Sequence, residues 1–177
     1  VEAERLSMES AVLVRATARE VVLREAALNR LDAAEANLVE AVLAEADLAG
    51  ATLREAILSD ADLRGAMMDG ADLRGCNLSG AALGQARLEG VRAEGVNLGG
   101  ARLQGAALRE ANLTGADLTG AQLQGAALHE ATLDRAKLKR AELGEALGRG
   151  SSWKGADLRG ARLQGIDLRG ADLRGAN

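Results

Sequence analysis

The sequence predicts an all-β solenoid, a right-handed quadrilateral parallel β-helix of about nine coils, each with four five-residue faces. Three observations carry this. Numbered in fives from Val1, the third residue of each block is Leu in 27 of 35 blocks, and the first is Ala in 27 of 36. The frame runs unshifted through all 177 residues. The chain has no Phe, Tyr or Pro and one Trp, although 47% of its residues are apolar. Irregular cores use aromatics to fill space; a Leu and Ala core suits one small geometry repeated.

Period five excludes the simple alternatives. A helix repeats at about 3.6 residues and a strand at about 2.0, so a helix would smear the Leu column around its axis. An uninterrupted strand would lose alternation at every block boundary. The pattern inward, polar, inward, polar, polar describes a short extended segment followed by a corner. Four such segments close a square of 20 residues, and about nine coils at a strand spacing of ~4.8 Å make a rod ~42 Å long. The parallel crossover favours the right hand.

In chain order, residues 1–177 read as a single solenoid. Over residues 1–35 two readings stand. Ala, Leu, Glu and Arg are good helix formers there and suit a partly helical N-terminal cap; the first and third positions of every block from Val1 to Leu38 are nevertheless apolar, which suits degenerate coils. Blocks from 61 to 125 mostly end in Gly, which supports the positive φ of a type II turn. Earlier blocks end in Glu20, Glu25, Glu35, Glu40, Glu45, Glu55 and Asp60, so two classes of corner are expected. Residues 146–155 read as an irregular coil: Gly148 and Trp153 occupy adjacent Leu positions, one empty and one oversized. Either the indole fills what Gly148 vacates, or the coil bulges outward there.

The pattern resembles the pentapeptide-repeat family, whose consensus is Ala-(Asp/Asn)-Leu-X-X. The phrases that carry the resemblance are ANLVE at 36–40, ADLAG at 46–50, ADLRG at 61–65 and 71–75, ANLTG at 111–115, ADLTG at 116–120, and ADLRG at 156–160 and 171–175. Each is weak alone; repeated in phase they are specific, and they span essentially the whole chain. The resemblance implies a right-handed quadrilateral β-helix. Family members commonly mix Leu and Phe at the centre, and the absence of Phe here implies a uniformly narrow bore.

No catalytic constellation is legible. His129 falls at an outward position with no second His, so neither metal ligands nor an oriented base converge. Ser151 and Ser152 lack a base. Cys76 sits in the inward small column and reads as a buried hydrophobe; one cysteine excludes an internal disulfide. The periodic Gly leads into no helix and is a turn signature rather than a phosphate loop. The repeated Asn and Asp of the second column read as wall-tying residues. Catalytic, cofactor and metal sites are therefore expected to be none, and the chain is read as not an enzyme.

Function is sought where the phrase is broken. Val12, Val14, Val22, Val39, Val42 and Ile57 take outward positions in the N-terminal half. They accompany Glu20, Glu40, Glu45 and Asp60, and exposed apolar clusters mark contacts. Residues 1–60 carry net −6, residues 61–145 net −1 and residues 146–177 net +3. A basic cluster at Arg135, Lys137, Lys139 and Arg140 has no aromatics beside it, so direct nucleic-acid binding by stacking is disfavoured.

The expected function is a non-catalytic structural or protein-interaction rod, read as part of a larger protein, meeting a protein partner or itself through the rod ends. The alternative comes from the resemblance: some pentapeptide-repeat proteins mimic DNA, bind DNA gyrase and confer quinolone resistance. Mimicry needs a dense negative field, and the last third here is basic. No apolar run approaches the ~18 residues of a membrane span and no signal peptide is visible, so a cytoplasmic location is expected.

Overall fold

A computed structural model describes residues 5–177; Val1 to Glu4, the start of the expected first coil, lie outside the described residues. The chain folds as a right-handed quadrilateral parallel β-helix. Among the described residues thirty parallel bridges, from Ser7↔Ala27 to Ser152↔Asp172, each join residues 20 apart. Twenty residues per coil and five per face fix four sides. We label the faces by their first blocks: face I begins at residue 6, face II at 11, face III at 16 and face IV at 21, each recurring every 20 residues.

The hydrogen bonds explain why the repeat has five positions. In each block the second-position N–H donates to the coil before (Ala27 to the Leu6 carbonyl, 2.8 Å), and the third donates to the coil after (Leu28 to Asp47, 2.7 Å). The fifth also donates to the coil after (Arg30 to Ala49, 2.9 Å), and the next first position closes the corner (Leu31 to Leu28, 3.0 Å). The fourth N–H is the orphan. A second-position Asp or Asn takes it, as at Ala49 to Asp47 Oδ1 (3.0 Å), Gly99 to Asn97 Oδ1 (3.0 Å) and Thr119 to Asp117 Oδ1 (3.0 Å). A buried donor without a partner costs about 1–3 kcal/mol, and a short acceptor two residues back removes that cost locally. The Asp/Asn of the repeat is thus a backbone device.

First and third positions form one continuous core, with Ala26, Leu28, Leu58, Ala116, Leu118 and Leu143 at 0% exposure. Where the Leu column drops to Ala93, Val91 and Val96 enlarge the neighbouring small column, and the remaining enclosed void is about 10 Å³.

One expectation is corrected. The corners do not divide into two classes by φ: all 35 described fifth positions have positive φ, at 52–60° in the 17 that are not Gly and 61–73° in the 18 that are. The neighbouring coils over-determine the corner, so Glu and Arg accept a left-handed conformation that costs about 1–2 kcal/mol in isolation. Residues 7–35 carry the same bridges as the rest, and no helix occurs among the described residues. Stacking on the next coil outweighs the helix propensity of Ala, Leu and Glu.

Candidate interaction surface

Assignment to faces sorts the expected surface residues. Val22 and Val42 are bridged neighbours on face IV. Val39 and Ile57 lie on face III, with Ile57 exposed. Between these faces runs the III–IV corner, whose first three described residues are Glu20, Glu40 and Asp60. The structure therefore brings seven residues around one acidic ridge flanked by aliphatic groups. Arg19 approaches Glu40 at 3.8 Å; among the described residues Glu20 and Asp60 make no ion pair. Three expected members fall elsewhere. Val12, at 70% exposure, and Val14 are on face II, and Glu45 is at the IV–I corner.

The coil at 146–155 keeps its backbone ladder: Gly148 donates to Asp167 at 2.8 Å and Trp153 to Asp172 at 2.7 Å. There is no outward bulge. Trp153 is buried, its indole Nε1 donates to Ser151 Oγ at 2.6 Å, and Ser151 Oγ donates to the Gly148 carbonyl at 2.5 Å. A Cβ on Gly148 would meet Leu168 Cδ2 at 3.0 Å and Ser151 Oγ at 3.2 Å. Gly148, Ser151 and Trp153 are one packing unit. Sequence reasoning noted of Ser151 only that it lacks a base. The available signal was its place in an Ala column, two residues before an indole that needs an acceptor.

Sequence reasoning also missed the Asp-Leu-Arg phrase. In it the Arg folds back onto the Asp two residues earlier in a two-pronged ion pair, as at Arg64–Asp62, Arg159–Asp157 and Arg174–Asp172. Asp72, 4% exposed, receives Arg74 at 2.6 Å and Arg92 at 2.9 Å. The paired guanidiniums hold the Asp62, Asp72, Asp157 and Asp172 carboxyls below the usual carboxylate range. Burial pushes the Cys76 thiol up to about 12. Lys137 pairs with Asp117 at 3.5 Å and Lys139 with Asp157 at 3.4 Å, whereas Arg135 and Arg140, on the two corners of face III, make no ion pair among the described residues.

Among the described residues no group of three His, Cys, Asp or Glu side chains is placed to hold a metal ion, and no helix is long and apolar enough to cross a membrane. The geometry offers ordered, flat, chemically varied faces.

The family model for pentapeptide repeats matches in eight copies, spanning residues 22–147 and 154–177. The chain belongs to the pentapeptide-repeat family. Among solved structures it is similar to HetL, a pentapeptide repeat protein involved in heterocyst differentiation regulation in the cyanobacterium Nostoc sp. PCC 7120. Identity is 34%, with 100% of this chain and 84% of that one covered and a TM-score of 0.51. A pentapeptide repeat protein of the Arabidopsis thaliana thylakoid lumen is 36% identical over 57% of this chain and 70% of that one, with a TM-score of 0.56. QnrB1, a plasmid-mediated fluoroquinolone resistance protein, shares the fold at 20% identity, 91% and 90% coverage and a TM-score of 0.56. No curated protein matches the chain.

Proposed function

We propose that the chain is a non-catalytic interaction rod that presents the III–IV corner of its first three coils to a protein partner. The observation that carries this is the convergence of Val22, Val42, Val39 and Ile57 on the ridge of Glu20, Glu40 and Asp60. Aliphatic groups supply desolvation and acids supply orientation, so the partner is a protein with a basic rim around an apolar patch. Its membership of a repeat family supports a scaffold role.

The test is quantitative capture from the source cell with the wild-type chain and two variants. Val22→Arg with Val42→Arg should lose one specific protein that Gln104→Arg, a distant face IV control, retains. Equal recovery by both variants excludes the corner as the contact.

A DNA-mimicking approach to gyrase is the second reading, favoured by the acidic spacing of one residue per coil at Glu20, Glu40 and Asp60. The same corner continues as Gly80, Gly100, Gly120 and then Arg140, so the negative field ends after three coils. A supercoiling assay separates the readings: inhibition or quinolone protection at micromolar protein supports mimicry, and no effect removes it.

A further inference from the structure

Face III differs from the other three in its middle. From Asn77 to Thr119 it carries outward only Asn77, Ser79, Asn97, Gly99, Asp117 and Thr119, none longer than Asn. Its bordering corners are glycine on both sides, at 75, 95 and 115 and at 80, 100 and 120. A Cβ added at Gly95, Gly100, Gly115 or Gly120 would meet nothing within 4 Å. Seventeen other corners hold longer residues in the same conformation, so folding alone does not demand this bare window.

Charge frames the window symmetrically. On the II–III corner Glu55 precedes the glycines and Arg135 follows them; on the III–IV corner Asp60 precedes and Arg140 follows. Gly95 lies midway between the first pair and Gly100 midway between the second, and both belong to the coil of Asn97. Among the described residues Glu55, Asp60, Arg135 and Arg140 make no ion pair. These corner side chains lean on the next coil, so Glu55 and Asp60 lean over Gly75 and Gly80, onto the window, and Arg135 and Arg140 over Gly155 and Gly160, away from it. The long arginine side chains must swing back to reach a second copy.

We propose that a second copy of this chain docks on face III, antiparallel, about a two-fold axis along the strand direction through Asn97. This operation keeps each corner over its own kind and reverses the rod. It sets Asp60 opposite the second copy's Arg140 and Glu55 opposite its Arg135, with both contacts repeated by symmetry. Asn77 meets Asp117, Ser79 meets Thr119, and Asn97 and Gly99 meet their own copies. Ile57 falls against the aliphatic stem of Lys137. No like charges coincide across the window. The contact is isologous, and neither corner of face I, nor any other face, has the same series on both borders. A contact confined to five coils is small, in the range of transient association, so micromolar affinity is expected. Ile57 and Asp60 belong both to this contact and to the partner surface above, whereas Val22 and Val42, on face IV, remain uncovered, so the Val22→Arg/Val42→Arg variant reads the partner surface without touching this pairing.

Sedimentation of the purified chain from 1 to 500 µM tests it, with the β-sheet circular dichroism of every variant checked first. Wild type is expected to show a monomer–dimer equilibrium that weakens with salt. Two charge-reversal variants, Glu55→Arg/Asp60→Arg and Arg135→Glu/Arg140→Glu, should each raise the dissociation constant more than about tenfold. Mixed at equal concentration they should form a heterodimer, because every pair is then complementary. A wild type that stays monomeric at 500 µM overturns the proposal. So does association that both variants leave unchanged, or a mixture no tighter than its components.

Discussion

Trp153 Nε1 and Ser151 Oγ are 2.6 Å apart in the core of the rod, and the same hydroxyl reaches the Gly148 carbonyl. Ser151→Ala therefore removes the acceptor of a buried indole. The expected loss is about 1–3 kcal/mol in denaturant unfolding. Trp153→Leu opens a cavity and is expected to cost about 3 kcal/mol or more. Restoring the repeat at all three sites, as Gly148→Leu/Ser151→Ala/Trp153→Leu, should recover most of that loss. A triple variant less stable than Trp153→Leu would show that the three residues are not one unit.

Gly115 has φ +68° with nothing within 4 Å of an added Cβ, whereas at Gly80 a Cβ would strike the Asp60 carboxylate. Gly115→Ala is expected to cost only the strain of the left-handed conformation, about 1 kcal/mol. Gly80→Ala should cost more, because Asp60 must also move, and Asp60→Ala should bring the two substitutions level. Thermal unfolding of the four variants checks this.

Asp62, Asp72, Asp157 and Asp172 titrate lower in the folded rod than in the open chain, because a guanidinium holds each as a carboxylate. A depressed folded value stabilises the fold above the unfolded pKa of about 4 and loses that stabilisation as pH falls through the folded value. The melting temperature should be flat from about pH 7 to 5 and decline below about pH 4. In Arg74→Ala, Asp72 keeps Arg92 and the backbone N–H of residue 74 but loses the two-pronged guanidinium, and its carboxyl should titrate at higher pH by NMR. An unchanged Asp72 titration would refute the dominance of Arg74.

Cys76 is wholly enclosed between coils, and its thiol is pushed up to about 12. Thiolate, not thiol, is the reactive form. Labelling by a thiol reagent at pH 8 should proceed at the rate of unfolding or local opening, and accelerate sharply at the denaturation midpoint. Rapid labelling of the native rod would contradict the burial.

The interior was legible because its rule is short: Leu or Ala at a fixed place, every five residues. The exterior was legible only in part. Val12, Val14 and Glu45 were grouped with Val22 and Ile57 by nearness in the chain. A residue's face depends on its number modulo 20, and nearby outward residues can be a quarter turn apart. The corners misled for a different reason. Glycine suggested one class and Glu another, yet stacked coils impose positive φ on both. Ser151 was illegible as a partner because its role needs the depth of Trp153, which side-chain packing alone reveals.

Five residues complete a side, whereas twenty restore the same side. Adding one pentapeptide in mid-rod would leave every Leu inside, yet turn all downstream surface through ninety degrees. Asp60 would then share its edge with residues now borne on another, and Arg140 would leave it. Adding four pentapeptides would leave the edges aligned and merely lengthen the rod by one storey. The molecule works like a combination lock whose tumblers share one spindle. What it displays can be re-indexed in quarter turns without touching what holds it together.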